Sequence, residues 1–124
     1  MSDPVNAEPK FEGLSPVFPV SDIPSALIFY CKALGFELGW TWGDPPTHAS
    51  VGRGQIDIML TLNPSKAGRG DVYVGLKEVD SYFAELQARH VQLGELADRP
   101  YGMRDFSVRD SDGNRLVFGE SITE

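Results

Sequence analysis

The chain has 124 residues, a formal net charge of −7, 41% hydrophobic and 23% charged residues. Such a composition is globular rather than disordered and suits one ordinary domain. It contains no run of about 18 apolar residues that would span a membrane. It has no Lys/Arg cluster to face nucleic acid, and its single cysteine, Cys31, cannot form an internal disulfide.

The acidic balance favours cationic small molecules by long-range attraction, and it serves solubility equally well. Met1 to Lys10 is polar and proline-bearing, without the apolar core of a signal peptide, so a cytoplasmic protein is expected. Residues 1–12 read as a flexible leader. Residues 13–124 read as a single domain made of two modules, about 14–63 and 70–120.

Ser15-Pro16-Val17-Phe18-Pro19-Val20 predicts a first strand whose two prolines suit an edge or an interface. Ser21-Asp22-Ile23-Pro24 opens a helix with capping residues and an early proline. Ala26, Leu27, Tyr30 and Leu34 form its stripe, and Gly35 ends it. Strands follow at Phe36–Trp42, His48–Val51 and Ile56–Leu62, the last with Ile56, Ile58 and Leu60 on one face. After a Gly/Pro/Ser-bearing linker the pattern repeats: a strand at Asp71–Leu76, a helix at Val79–His90, a short strand at Val91–Leu96 and a terminal hairpin. That hairpin joins Asp105–Val108 to Arg115–Phe118 through Asp110-Ser111-Asp112-Gly113-Asn114, a run of turn formers. Phe36-Glu37-Leu38-Gly39 resembles Val91-Gln92-Leu93-Gly94, and Gly54-Gln55-Ile56-Asp57-Ile58 resembles Gly113-Asn114-Arg115-Leu116-Val117. The order is that of an internal duplication. The predicted fold class is α+β: two tandem β-α-β-β-β modules forming a curved, mostly antiparallel sheet around a cavity.

Val20-Ser21-Asp22-Ile23-Pro24-Ser25-Ala26, Phe29-Tyr30 and Leu34-Gly35-Phe36 resemble the first strand, helix and Leu-Gly-Phe exit of the vicinal oxygen chelate superfamily. That superfamily includes glyoxalase I, extradiol dioxygenases, and fosfomycin- and bleomycin-resistance proteins. Arg109-Asp110-Ser111-Asp112-Gly113-Asn114-Arg115 resembles its Asp-Pro-Asp-Gly-Asn terminal hairpin, with Ser111 in place of proline. Tyr101-Gly102-Met103-Arg104-Asp105-Phe106, leading into Val108-Arg109-Asp110, is similar to a run in bleomycin-resistance proteins. The resemblance implies a homodimer that sequesters a cationic or aromatic drug or metabolite, bleomycin-like in character, in a groove between subunits without altering it.

Catalytic members of that superfamily hold a divalent metal through His, Gln or Glu from two positions per module. Carried over by position, these fall at Ser15, at Ile58 or Met59, at Tyr73 or Val74, and at Val117. Hard ions need carboxylate, imidazole or carbonyl donors, so the resemblance implies neither metal, cofactor nor catalytic residue here. The alternative is a metal-dependent lyase, isomerase or dioxygenase with a rearranged site, for which His48, Asp57, Glu37 and Glu120 are the residues to inspect. His90 reads as a helix-end residue and Cys31 as a small hydrophobe beside the helix stripe.

The expected ligand-binding residues are Trp40, Trp42, His48, Met59, Tyr101, Met103 and Phe106. Trp40 and Trp42 share a strand face with Leu38 under simple alternation, but alternation does not say whether that face meets the helix or the cavity. If it meets the cavity, the indole rings offer flat surfaces for heteroaromatic and cationic groups.

Overall fold

The computed structural model describes residues 5–123, so the first four residues of the expected leader lie outside the described residues. The first module begins with β1 (Val17–Val20), then α1 (Ile23–Ile28). Asp22 is extended, and its carboxylate accepts a hydrogen bond from the Ser25 amide at 2.9 Å, capping the first turn. The helix loosens into a π-helical turn over Phe29–Ala33, closed by the Leu34 amide bonding to the Phe29 carbonyl. Ala26, Tyr30 and Leu34 of the predicted stripe are all buried.

Three strands follow: β2 (Glu37–Trp42), β3 (His48–Arg53) and β4 (Ile56–Leu62). The sheet order is β1-β4-β3-β2, which leaves the proline-bearing β1 on an edge. β1 runs parallel to β4, and the other two pairs are antiparallel. The second module repeats this with β5 (Asp71–Gly75), α2 (Val79–Ala88), β6 (Ala97–Asp98), β7 (Met103–Arg109) and β8 (Arg115–Ser121), ordered β5-β8-β7-β6. Again one pair, β5 with β8, is parallel.

The strand expected at Val91–Leu96 does not form. The helix ends at Ala88, short of the expected His90, which takes a left-handed conformation (φ 61°). From there the chain meets β7 first through one bond, the Gly94 amide to the Ser107 carbonyl at 2.8 Å. It pairs in register only at Ala97 and Asp98. Val91, Leu93 and Leu96 pack against the core as irregular chain instead.

Among the described residues no strand pair links the two sheets, so the molecule carries two four-stranded mixed sheets instead of one continuous ladder. They share a core that includes Phe18, Tyr30 and Leu60 from one module and Leu86, Phe106 and Phe118 from the other. The turn at residues 110–114 staples them. Tyr30 donates its buried hydroxyl to Asp110 at 2.9 Å, and the Asn114 side chain donates to the Pro19 carbonyl at 2.8 Å while accepting from the Gly70 amide at 2.7 Å. Asp110 also accepts from the amides of Asp112 and Asn114. Buried polar groups persist only when paired, and this turn meets that demand for both modules at once. A buried tyrosine hydroxyl, Tyr82, donates to the Leu34 carbonyl at 2.8 Å, and Arg53 of β3 forks onto Glu85 of α2.

Candidate functional site

Residues paired across a sheet point to the same side. Ala49, Val51, Ile58 and Leu60 are buried on the helix-covered side of the first sheet. His48, Ser50, Met59 and Thr61 alternate with them and face the other way. Trp42 pairs with His48 and Trp40 with Ser50, so both tryptophans stand on this open face. Leu38 pairs with Val51 instead, because the register shifts between Leu38 and Trp40. The bulge at Gly39 thus separates Leu38 from the tryptophans, correcting the expectation that the three share a face.

Trp40 and Trp42 are 45% and 67% exposed. With Thr41, His48 and Met59 they line an open cavity of about 490 Å³. The His48 ring meets the Trp42 ring edge-on at a centroid distance of 5.6 Å, and its Nδ1 lies 2.9 Å from the Thr47 hydroxyl. This arrangement offers broad aromatic surface, a thioether and one imidazole hydrogen-bonded to a hydroxyl.

The open face of the second sheet has a different chemistry. Tyr73 pairs with Val117, and Asp105 pairs with Gly119, all on the side away from α2. The Asp105 carboxylate is 4% exposed and accepts from the Tyr101 hydroxyl at 2.7 Å, the Tyr73 hydroxyl at 2.9 Å and Arg99 Nε at 2.8 Å. Tyr73 reaches Asp105 from two strands away because Gly119 lies between them; a side chain at 119 would collide with the Tyr73 hydroxyl. Burial pushes the Asp105 carboxyl up, but hydrogen bonds from Tyr101, Arg99 and Tyr73 outweigh it and hold the group below the usual carboxylate range. Burial of its hydroxyl, then the bond to Asp105, pushes Tyr73 up to about 12. Tyr101 is raised chiefly by its bond to Asp105. The cavity beside this cluster measures about 630 Å³ and is drawn from the second module alone. A third cavity, about 470 Å³, lies between the modules near Phe36, Arg53 and Tyr82, away from both open faces.

The structure therefore gathers Trp40, Trp42, His48 and Met59 on one face and places Tyr101 on the other. Met103 shares the face of Asp105 by strand alternation but does not line its cavity. Phe106 does not belong to either site. It is 0% exposed and packs against Tyr82, Phe83 and Phe118 on the helix side of its sheet, so the expected ligand contact is corrected to a core residue. Sequence reasoning missed Tyr73, Arg99 and Asp105 as a cluster. The available signal was the strand-interior Gly119, which marks a close approach.

The four family metal positions resolve by register. Met59 and Tyr73 face the open sides, while Ile58 and Val74 are core. The donors present do not fit a hard divalent ion: Met59 offers a thioether, Val117 nothing, Tyr73 a phenol bound to Asp105, and Ser15 a hydroxyl given to Asp57 at 2.8 Å. Among the described residues no three His, Cys, Asp or Glu side chains converge as a metal would require. Of the residues marked for a rearranged enzyme site, Glu120 accepts from the Val79 amide at 3.0 Å and caps α2. Glu37 is exposed at the start of the edge strand β2. Cys31 is half-buried, and burial pushes its thiol up, away from reactivity.

Residues 14–118 match the family model for the Glyoxalase/Bleomycin resistance protein/Dioxygenase superfamily. The chain belongs to that superfamily. Among solved structures, a bleomycin-binding protein from bleomycin-producing Streptomyces verticillus, complexed with copper(II)-bleomycin, is 28% identical. The match covers 94% of this chain and 100% of that one, with a TM-score of 0.77. A second bleomycin-binding protein complexed with bleomycin superimposes with a TM-score of 0.78 at 16% identity, over 90% and 99% of the two chains. TnmS3, an antibiotic binding protein from Streptomyces sp. CB03234, follows at 24% identity and a TM-score of 0.74, over 89% and 97%. The last two likenesses speak to the fold. No curated protein matches the sequence. Among the described residues no helix is long and apolar enough to cross a membrane.

Proposed function

We propose that this superfamily member is a small-molecule binding protein that sequesters a planar, cationic or aromatic compound of bleomycin-like character, in the cytoplasm and without chemical change. The observation that carries the reading is the open face of the first sheet, where Trp40 and Trp42 stand exposed over Met59 and His48. Two large rings left in water on a rigid sheet gain by stacking on a flat ligand. Kinship with the bleomycin-binding protein of the complex with copper(II)-bleomycin supports the ligand class, and the net charge of −7 favours a cation.

A homodimer is part of this reading. Each open face borders a cavity built from one module alone, and Phe11 and Leu14 before β1 are almost wholly exposed. A second copy would cover such apolar surface. Calorimetric titration with bleomycin, metal-free and copper-loaded, tests the function, with tryptophan fluorescence as a second readout. Saturable binding at one or two drugs per dimer is expected. Absence of both heat and fluorescence change overturns the drug reading. Sedimentation then checks the dimer.

A further inference from the structure

We infer that the cavity between the two modules, beside the free edge of β5, binds a neutral carboxamide or lactam carried on a compact apolar body. Gly75 is the residue that pairs with its amide group.

The duplication makes two corresponding junctions between the modules, and they are filled differently. Phe18 pairs with Leu60 in the first module and Val74 with Phe118 in the second, and all four are buried. In that alignment Pro19 corresponds to Gly75, and Ile56 to Asn114. At the first junction the Asn114 carboxamide donates to the Pro19 carbonyl at 2.8 Å and accepts from the Gly70 amide at 2.7 Å. At the second, Ile56 and Gly75 both line the cavity of about 470 Å³. The isoleucine side chain carries no polar atom, so the carboxamide of the first junction has no counterpart in the second.

The edge of β5 leaves the matching backbone groups unpaired. β5 has a neighbouring strand, β8, on one side only. The Leu76 amide bonds to the Gly119 carbonyl at 3.0 Å. Successive residues of a strand aim their backbone groups at opposite edges, so Val74 and Leu76 serve β8 while the N–H and C=O of Gly75 face the free edge. Pro19 offers a carbonyl alone; Gly75 offers a donor and an acceptor side by side. A lactam or primary carboxamide presents the same two groups side by side in the complementary order. A Cβ at position 75 would meet nothing within 4 Å, so the approach is open. The pairing is strand addition reduced to a single amide.

The rest of the cavity selects the body and its charge. Phe36, Val74, Tyr82 and Phe118 wall it with buried apolar surface. Its charged side chains are two cations, Arg53 and Lys77, and two anions, Glu78 and Glu85. Arg53 is already forked onto Glu85 at 2.6 Å and 2.9 Å. The four charges sum to zero and leave no net demand for an ionic ligand. In apolar surroundings the amide pairing gains strength relative to water, and the volume suits a small molecule.

The experiment uses the full chain and two probes of one shape, followed by the backbone amide NMR signal of Gly75. Isocarbostyril is a bicyclic lactam; isocoumarin is the lactone in which oxygen replaces its N–H. Isocarbostyril is expected to shift the Gly75 signal saturably. Isocoumarin should bind about tenfold more weakly, the size of one lost hydrogen bond. Ile56→Asn supplies a carboxamide at the place that Asn114 holds in the other junction, and should abolish the lactam response. Ser81→Phe fills the cavity from an exposed position on α2 and should do the same. Urea midpoints show whether each variant folds, and if Ile56→Asn does not, Ser81→Phe decides alone. Equal affinity for lactone and lactam would overturn the inference, as would a Gly75 signal unmoved by either probe up to its solubility limit. A folded Ser81→Phe protein that still binds the lactam unchanged would overturn it too. The cavity lies away from both open faces, so this site and the proposed drug function fail separately.

Discussion

The two open faces come from the same topology and differ in one element. The first sheet ends in β2, a strand of six residues whose side chains provide the tryptophan wall. The second ends in β6, only two residues long. Where a full fourth strand would lie beside β7, a loop runs instead, and it delivers Arg99 and Tyr101 to Asp105. Shortening one edge strand exchanges a ladder of backbone bonds for a cluster of polar side chains. The duplicated frame therefore carries an aromatic surface on one side and a hydrogen-bonded polar cluster on the other.

The sharpest way to break this contrast is at Phe106, which sequence placed with the ligand and structure places in the core. Phe106→Ala should cost about 3–5 kcal/mol of stability in urea unfolding, the usual size of an aromatic cavity. Lost bleomycin affinity at full stability would instead return the ring to the site. Next in size is the tryptophan wall. Trp42→Ala is expected to weaken bleomycin by about 2 kcal/mol, a typical anchor value, with little change in melting temperature because the ring is already in water. Trp40→Ala should act in the same direction and more weakly.

On the second face acid acts through Asp105. Asp105 has a depressed pKa in the folded protein, so its stabilising contribution is full above the ordinary carboxylate value of about 3.9 and is lost as pH falls through its lower folded value. Asp105→Asn should remove that part of the acid dependence and cost about 1–3 kcal/mol at neutral pH, the range for leaving buried partners unsatisfied. Urea midpoints across the acid range measure both. In the alkaline direction Tyr73 is raised, so its contribution holds below the ordinary tyrosine value and fades as pH rises toward about 12. Gly119→Ala tests the same cluster through the backbone. The added methyl displaces the Tyr73 hydroxyl, at a cost of about 1–3 kcal/mol for overpacking if the ring stays. The cost is less if the ring swings into solvent, in which case Tyr73 titrates as a free phenol.

Much of the frame was legible in the sequence. Alternation of Ile56, Ile58 and Leu60 marks β4 over the residues it occupies, and Asp22 followed by Pro24 places the start of α1. The turn Asp110 to Asn114 announced a hairpin, though not that it ties Tyr30 and Pro19 into the same hydrogen-bond network. The facing of Trp40 and Trp42 was illegible because alternation does not say which side the helix covers, and their grouping with Leu38 failed because the Gly39 bulge inserts a residue. The Asp105 cluster was illegible for another reason. Its donors come from β5 and from the loop before β7, which carries Arg99 and Tyr101, and only the folded register brings them to one carboxylate. Phe106 misled because strand alternation carries no label for the helix side.

The staple at residues 110–114 also has a consequence for how the molecule is made. A ribosome releases β1 long before Asn114, yet the Pro19 carbonyl in β1 is served by the Asn114 side chain. The Tyr30 hydroxyl likewise waits for Asp110. Although the two modules repeat one another, the earlier one cannot finish its interior while it is still alone on the emerging chain. Nascent chains arrested before the final hairpin should therefore be digested by protease in both halves, and become resistant together once that hairpin clears the exit tunnel.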